Sequence, residues 1–175
     1  MELKRFVIYP IATSCAGKST LTKALSEKLP DIYTVSYDKL KWQLAGYHRD
    51  KHRSLIKEIT FGLFEVICSK YIPILLDVSL QDEAEYFYCY KIAQKYGYKF
   101  IPIKLIAPTV ILLQRFRERI ADAKQKGTEI SVTDESIFLE NLFKKSFVPL
   151  GTPIFDTSEI RPEYIANEII VNLIC

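Results

Sequence analysis

The chain has 175 residues, 49% apolar and 26% charged, with a formal net charge of +3. A chain of this length buries most of its apolar surface without staples, and the composition is that of an ordinary soluble globular protein. The charge is too small to imply nucleic-acid binding by itself, so any basic face must be local.

The first residues, MELKRFVIYPIATSCA, mimic a secretion signal: a basic start, an apolar run, then small residues. The apolar run is short for that purpose and leads straight into GKST. It reads better as a buried strand over 5–11, followed by a helix over 19–29 that Pro30 ends. A β-branched strand covers 32–36, and a short helix, DKLKWQLAGY, stops near Gly46. The next helix, 52–71, is expected to turn Leu55, Ile59, Leu63, Val66 and Ile67 to one face. Strand 72–79 follows, then a helix over 82–97 closed by Gly97, then strand 98–106.

Pro108 suits the first turn of a helix running through TVILLQRFRERI. Residues 121–133 are polar, include Gly127, and are expected to be mobile. Residues 134–147 read as helix, 152–158 as a short last strand, and 161–174 as a closing helix with Pro162 at its start. The strands are short, apolar and mostly non-alternating, as in a parallel sheet covered on both faces. Their alternation with helices predicts one domain with a doubly wound α/β fold.

Cys15, Cys68, Cys89 and Cys175 form no C-x-x-C pair, and the chain has two histidines. A metal cluster is not expected, and reduced thiols in a cytoplasmic protein are. No stretch approaches the length of a membrane span.

The stretch ATSCAGKST, 12–20, fits G-x-x-x-x-G-K-[ST] with Ala12 in place of the first glycine. It lies between a predicted strand and a predicted helix, as a phosphate-binding loop must. Gly17 lets the loop fold tightly with no side chain in the way. Amides from Ser14 through Cys15, Ala16, Gly17, Lys18 and Ser19 to Thr20 are then expected to form an anion nest at the helix N-terminus. Lys18 would reach the β- and γ-phosphates of ATP, and the Ser19 hydroxyl would bind Mg²⁺.

The strand Ile74-Leu75-Leu76-Asp77 ends in a carboxylate that would sit beside this loop and help order the metal. Asp38, just past the second strand, would face the γ-phosphate and accept the proton of an attacking hydroxyl; a helix N-cap role is compatible with this.

Together AGKST, VSYDKLKWQL, ILLDVS, YGYKFIPIKLIAP, RFRER and IFDTS span most of residues 5–160. They resemble the P-loop kinases of the polynucleotide-kinase-like group, which includes zeta toxins and small-molecule kinases. Relatives often have Pro-Gly-Ser-Gly-Lys where this chain has TSCAGK. The resemblance implies a five-stranded parallel sheet of order 2-3-1-4-5. It implies that Asp38 acts on the substrate hydroxyl. It also implies that Arg115 and Arg119 meet ATP phosphates or the base as a lid at about 117–133 closes, with the loop from Phe155 to Ser158 near the adenine. Arg117, two residues from each, points elsewhere on the helix.

The Asp-x-x-Gly and Asn-Lys-x-Asp motifs of GTPases and the Ser-Gly-Gly-Gln of ABC proteins do not occur. The chain is also short for a motor ATPase with a helical partner domain. Expected is therefore an ATP- and Mg²⁺-dependent phosphotransferase with an alcohol acceptor: a small molecule, a nucleotide or a nucleic-acid end. The alternative is a nucleotide-binding sensor that transfers nothing, but such a module has no need of both Asp38 and Asp77. No membrane and no obligate protein partner are expected. Residues 39–58 carry Lys39, Lys41, Arg49, Lys51, Arg53 and Lys57 against Asp50 and Glu58, with Trp42 and Tyr47 among them. The segment reads either as a cradle for a phosphorylated or nucleotide-like acceptor or as a solvated helical face.

Overall fold

A computed structural model describes residues 5–174 apart from 30, 129, 131 and 145. The first strand, β1 (Phe6–Ala12), serves two cores at once. Val7, Tyr9 and Ile11 belong to one, and Phe6 and Ile8 to the other. An apolar run without alternation is what such a position demands. Then come α1 (Lys18–Lys28), β2 (Tyr33–Ser36), α2 (Tyr37–Gln43), α3 (Arg49–Ser69), β3 (Ile74–Asp77), α4 (Glu83–Lys95) and β4 (Lys99–Ile106). The remainder is α5 (Thr109–Lys126), α6 (Glu135–Leu142), β5 (Ile154–Asp156) and α7 (Pro162–Glu168), which continues as a π-helical segment, Ile169–Ile174. The five strands are parallel in the order β2-β3-β1-β4-β5, as the resemblance implied.

Residues of α1, α5, α6 and α7 pack on one face of the sheet around Leu21, Leu25, Phe116, Phe138 and Ile165. The Phe116 and Phe138 rings stack at 4.1 Å, joining α5 to α6. Residues of α3 and α4 cover the other face, where Tyr9, Tyr86, Phe100 and Phe147 form an aromatic cluster. Because every strand runs the same way, the loops after β1, β2, β3 and β5 gather at one edge, where open α/β sheets bind ligands.

Four expectations change. Helix α3 is rotated from the predicted face: Ile56, Thr60, Phe64, Ile67 and Cys68 point inward. Leu55, Ile59 and Val66 are 46%, 46% and 54% exposed. Thr60 can occupy the core because its hydroxyl donates to the Ile56 carbonyl at 2.6 Å. Residues 121–126, expected to be mobile, complete α5, since Ala123 is buried and Gly127 ends the helix in the left-handed conformation. The predicted helix 134–147 ends at Leu142. Phe138 lies in one core while Phe147 and Val148 pack on the other, and a straight helix could not serve both. The closing helix changes to π-type after Glu168. Pro30, expected to end α1, lies outside the described residues, as does Cys175.

Candidate active site

The turn from β1 into α1 is held by few contacts, nearly all of them main chain. The Ala16 amide donates to the Thr13 carbonyl at 3.2 Å, so this one amide of the expected nest is used inside the loop. The Ala16 side chain faces the core rather than the cleft. Lys18, Ser19 and Thr20 begin α1, and their amides have no preceding helical carbonyl to bond. Gly17 has φ +88°, and a Cβ there would also lie 3.5 Å from the Thr157 methyl. Cys15 has φ +65°, a conformation that costs a residue with a Cβ about 1–2 kcal/mol. The glycine that related loops carry would avoid that cost.

Arg115 fastens this loop from outside. Its guanidinium donates to the Cys15 carbonyl at 3.3 Å, to Thr157 Oγ1 at 2.9 Å and to the Thr157 carbonyl at 2.7 Å. It thus ties α5, the phosphate loop and the turn after β5 together. Arg119, one helical turn on, lines the same cleft and is exposed, without a hydrogen bond or ion pair among the described residues. Arg117 points away and pairs with Glu135 at 2.9 Å, as its place on the helix implied. That ion pair raises the Arg117 pKa and holds the Glu135 carboxyl below the ordinary glutamate range.

The cleft has a volume of about 660 Å³ and is lined by the loop, Ser19, Thr20, Arg115, Arg119, Thr157 and Asp38. Asp77 does not line it but touches Lys18, which does. Lys18 Nζ lies 2.7 Å from Asp77 Oδ1, off the direction of a good hydrogen bond, so the contact is mainly Coulombic. Ser36 Oγ donates to Asp77 Oδ2 at 2.9 Å, from the residue paired with Asp77 across the β2–β3 register. Ser36 also accepts from the Lys39 amide as the cap of α2, which leaves Asp38 in the first turn rather than at the cap.

A second cavity, of about 410 Å³, opens on the other side of Asp38. Lys41, 8% exposed, places its ammonium 2.7 Å from Asp38 Oδ1. The pair is favoured by their i,i+3 spacing, and it keeps the carboxylate's charge balanced at the junction. Tyr37 and Tyr47 share a hydroxyl–hydroxyl hydrogen bond of 3.0 Å. Burial and that bond push the Tyr37 phenol up to about 12, so it stays neutral at physiological pH. Arg49, Arg53 and Lys57 enter the wall from α3, and Trp42 from α2.

The structure therefore brings Ser14, Cys15, Gly17, Lys18, Ser19, Thr20, Asp38, Arg115 and Arg119 to one cleft, with Asp77 in contact with Lys18. Ala16 takes part through its main chain only. Arg115 also lines the cleft, where its guanidinium holds the Cys15 carbonyl and both oxygens of Thr157. Lys39 and Lys51, counted in the basic segment, do not line the second cavity. Ser36, Lys41 in its role beside Asp38, and Thr157 were not singled out as partners. The helical spacing of Lys41 from Asp38 was the signal for one of them; Ser36 and Thr157 act through long-range contacts that carry none.

Comparison with known proteins follows the same lines. A family described as the AAA domain matches residues 7–137. No curated protein matches the sequence. Among solved structures, the chain is similar to a proposed kinase of Chloroflexus aurantiacus, at 17% identity and a TM-score of 0.74, with 97% of this chain and 99% of that one covered. It is similar to the tunicamycin resistance protein of Deinococcus radiodurans, at 17% identity and a TM-score of 0.62, covering 97% and 96%. It is also similar to the APS kinase of Mycobacterium tuberculosis, at 14% identity and a TM-score of 0.63, covering 95% and 96%. At these identities the likeness is one of fold. Among the described residues no helix is long and apolar enough to cross a membrane.

Proposed function

The chain belongs to the AAA domain family, and from that premise we propose that it is an ATP-dependent kinase of the polynucleotide-kinase-like and zeta-toxin-like group. It moves the γ-phosphate of ATP to an alcohol. The observation that carries this reading is the position of Asp38, which lines both cavities. A carboxylate standing between a phosphate-binding cleft and a second pocket is placed to serve a hydroxyl that attacks from one into the other.

In this mechanism the loop amides and the start of α1 hold the triphosphate. Lys18 leaves Asp77 for the β- and γ-phosphate oxygens. The acceptor oxygen attacks the γ-phosphorus as its proton passes to Asp38; the bond to the β-phosphate oxygen breaks, and ADP departs. Arg119 is the cation available to meet charge on the transferred group. Arg115 positions the loop. Magnesium would suit the hard oxygens at hand, the Ser19 hydroxyl and the Asp77 carboxylate, and would supply positive charge against the phosphates. We take the chain as one kinase domain with a lid at about 117–133, of which the residues up to Lys126 stand here as the last turns of α5.

The test is ATP turnover over a panel of alcohol acceptors, with Asp38→Asn as the partner variant. Loss of general-base help is expected to lower kcat about 10²–10⁴-fold while nucleotide binding holds. A protein that binds ATP, transfers nothing to any acceptor and ignores the substitution would be a sensor instead.

A further inference from the structure

We infer that the acceptor is a small molecule that already bears a phosphate or a similarly compact tetrahedral anion, held by Arg49 and Arg53, with a flat ring against Trp42. The inference rests on the kinase reading, because it takes the cavity beyond Asp38 as the acceptor's. Four cations line that cavity: Lys41, Arg49, Arg53 and Lys57. Two have counter-charges of their own. Lys41 pairs with Asp38, and Lys57 pairs with Glu85, whose other carboxylate oxygen accepts from the Gln81 amide. Arg49 and Arg53 have no carboxylate partner among the described residues.

These two stand one turn apart on α3, a spacing at which like charges repel. Arg49 also opens the helix, the end at which the backbone dipole disfavours a cation. The fold accepts both costs at one wall of a cavity beside its candidate base. A guanidinium pair one turn apart suits a tetrahedral anion, since each fork offers parallel donors to two oxygens. A carboxylate there would be a weaker match to two forks.

Trp42 supplies the remaining specificity. The residue is 55% exposed although it lines the cavity, and the Lys41 ammonium lies 4.9 Å from the centre of its ring. An exposed indole beside cationic side chains is a stacking platform for a planar ring. The volume of about 410 Å³ has room for one molecule of nucleotide size. The hydroxyl to be phosphorylated then lies at Asp38, and the anion at Arg49 and Arg53.

Trp42 is the only tryptophan, and it lines both this cavity and another beside Ile120 and Ala123 of α5, so the arginine variants decide which of the two a change in its emission reports. The protein, first saturated with magnesium and a non-hydrolysable ATP analogue to fill the first cleft, is titrated with the four common nucleoside monophosphates, glucose 6-phosphate, their unphosphorylated parents and a 5′-hydroxyl oligonucleotide. At least one nucleoside monophosphate is expected to change the emission and to bind about tenfold or more tighter than its parent nucleoside. Arg49→Ala and Arg53→Ala should each weaken it about tenfold, with Arg53→Lys in between, while the affinity for the ATP analogue and the melting temperature hold. The inference is overturned if the nucleosides bind as well as their phosphates, if the arginine variants bind unchanged, if the oligonucleotide alone binds, or if no compound does. Failure of the unaltered protein to take the ATP analogue would instead remove the kinase reading, and this inference with it. Arginine-independent binding of a phosphorylated compound removes the inference and leaves the kinase reading standing.

Discussion

The cleft on one side of Asp38 is shaped by main chain, and the cavity on the other by side chains. In the first, two left-handed residues and a helix start set the geometry within a run of nine residues. In the second, the wall is assembled from α2, the first turns of α3, the segment after β3 and Val132. A backbone-built site tolerates little change and binds a common group; a side-chain-built site can be altered residue by residue. On the proposed reading, one half of the molecule takes the shared co-substrate and the other the particular one.

Thiol chemistry gives the largest contrast between the two halves. Cys15 is half-exposed in the phosphate loop, whereas Cys68 and Cys89 are buried, and burial pushes both thiols up to about 12. Relative to a free cysteine this lowers their thiolate fraction roughly a thousandfold. Peptide mapping after brief iodoacetamide treatment should find Cys15 labelled and Cys68 and Cys89 unlabelled until the chain is unfolded. Saturating Mg-ATP analogue should shield Cys15, while a compound that fills only the second cavity should not. Labelling of Cys15 that ignores nucleotide would break the assignment of the first cleft.

Arg115→Ala comes next in size. It leaves the Cys15 carbonyl and both Thr157 acceptors without their charged donor. Nucleotide affinity measured by calorimetry should fall roughly 10- to 100-fold, the range for losing a charge-assisted hydrogen bond. Trp42 emission with a second-cavity ligand should be unmoved. An equal loss at both cavities would mean that the distinction between them is false.

The smallest effect lies outside both. Asp134 caps α6, and its carboxyl is held below the ordinary range by the Ser136 hydroxyl and by the amides of Ile137 and Ser136. Glu135 is lowered likewise by Arg117. Depressed carboxyl pKa values stabilise the fold above the unfolded range and cease to do so as pH falls through the folded values. Amide exchange in α6, corrected for intrinsic rates, should therefore quicken modestly below about pH 4 while α1 does not change. Asp134→Asn should flatten that dependence.

The same division explains how much could be read in advance. The turn after β1 is contiguous and rests on backbone angles that few sequences permit, so Gly17, Lys18 and Ser19 marked it in the sequence. The sheet order followed from family likeness. The second cavity depends on how α3 is rotated, and its inward face includes Thr60, satisfied by the Ile56 carbonyl, which counting apolar residues does not detect. Arg49, Arg53 and Lys57 do recur at i, i+4 and i+8, a pattern visible in the sequence once the inward face is known. Ser36 beside Asp77 and Arg115 beside Thr157 needed the folded chain, because each joins residues more than 40 positions apart.

The backbone at residue 15 also limits which sequences can replace this one. With φ at +65°, the position excludes branching at Cβ, so valine, isoleucine and threonine are closed to it. Glycine, asparagine and aspartate enter without difficulty, and small unbranched residues at a modest cost. Cysteine is among the few that keep a polarisable side chain there and still allow the turn, which makes this a narrow opening in an otherwise restrictive stretch of the chain.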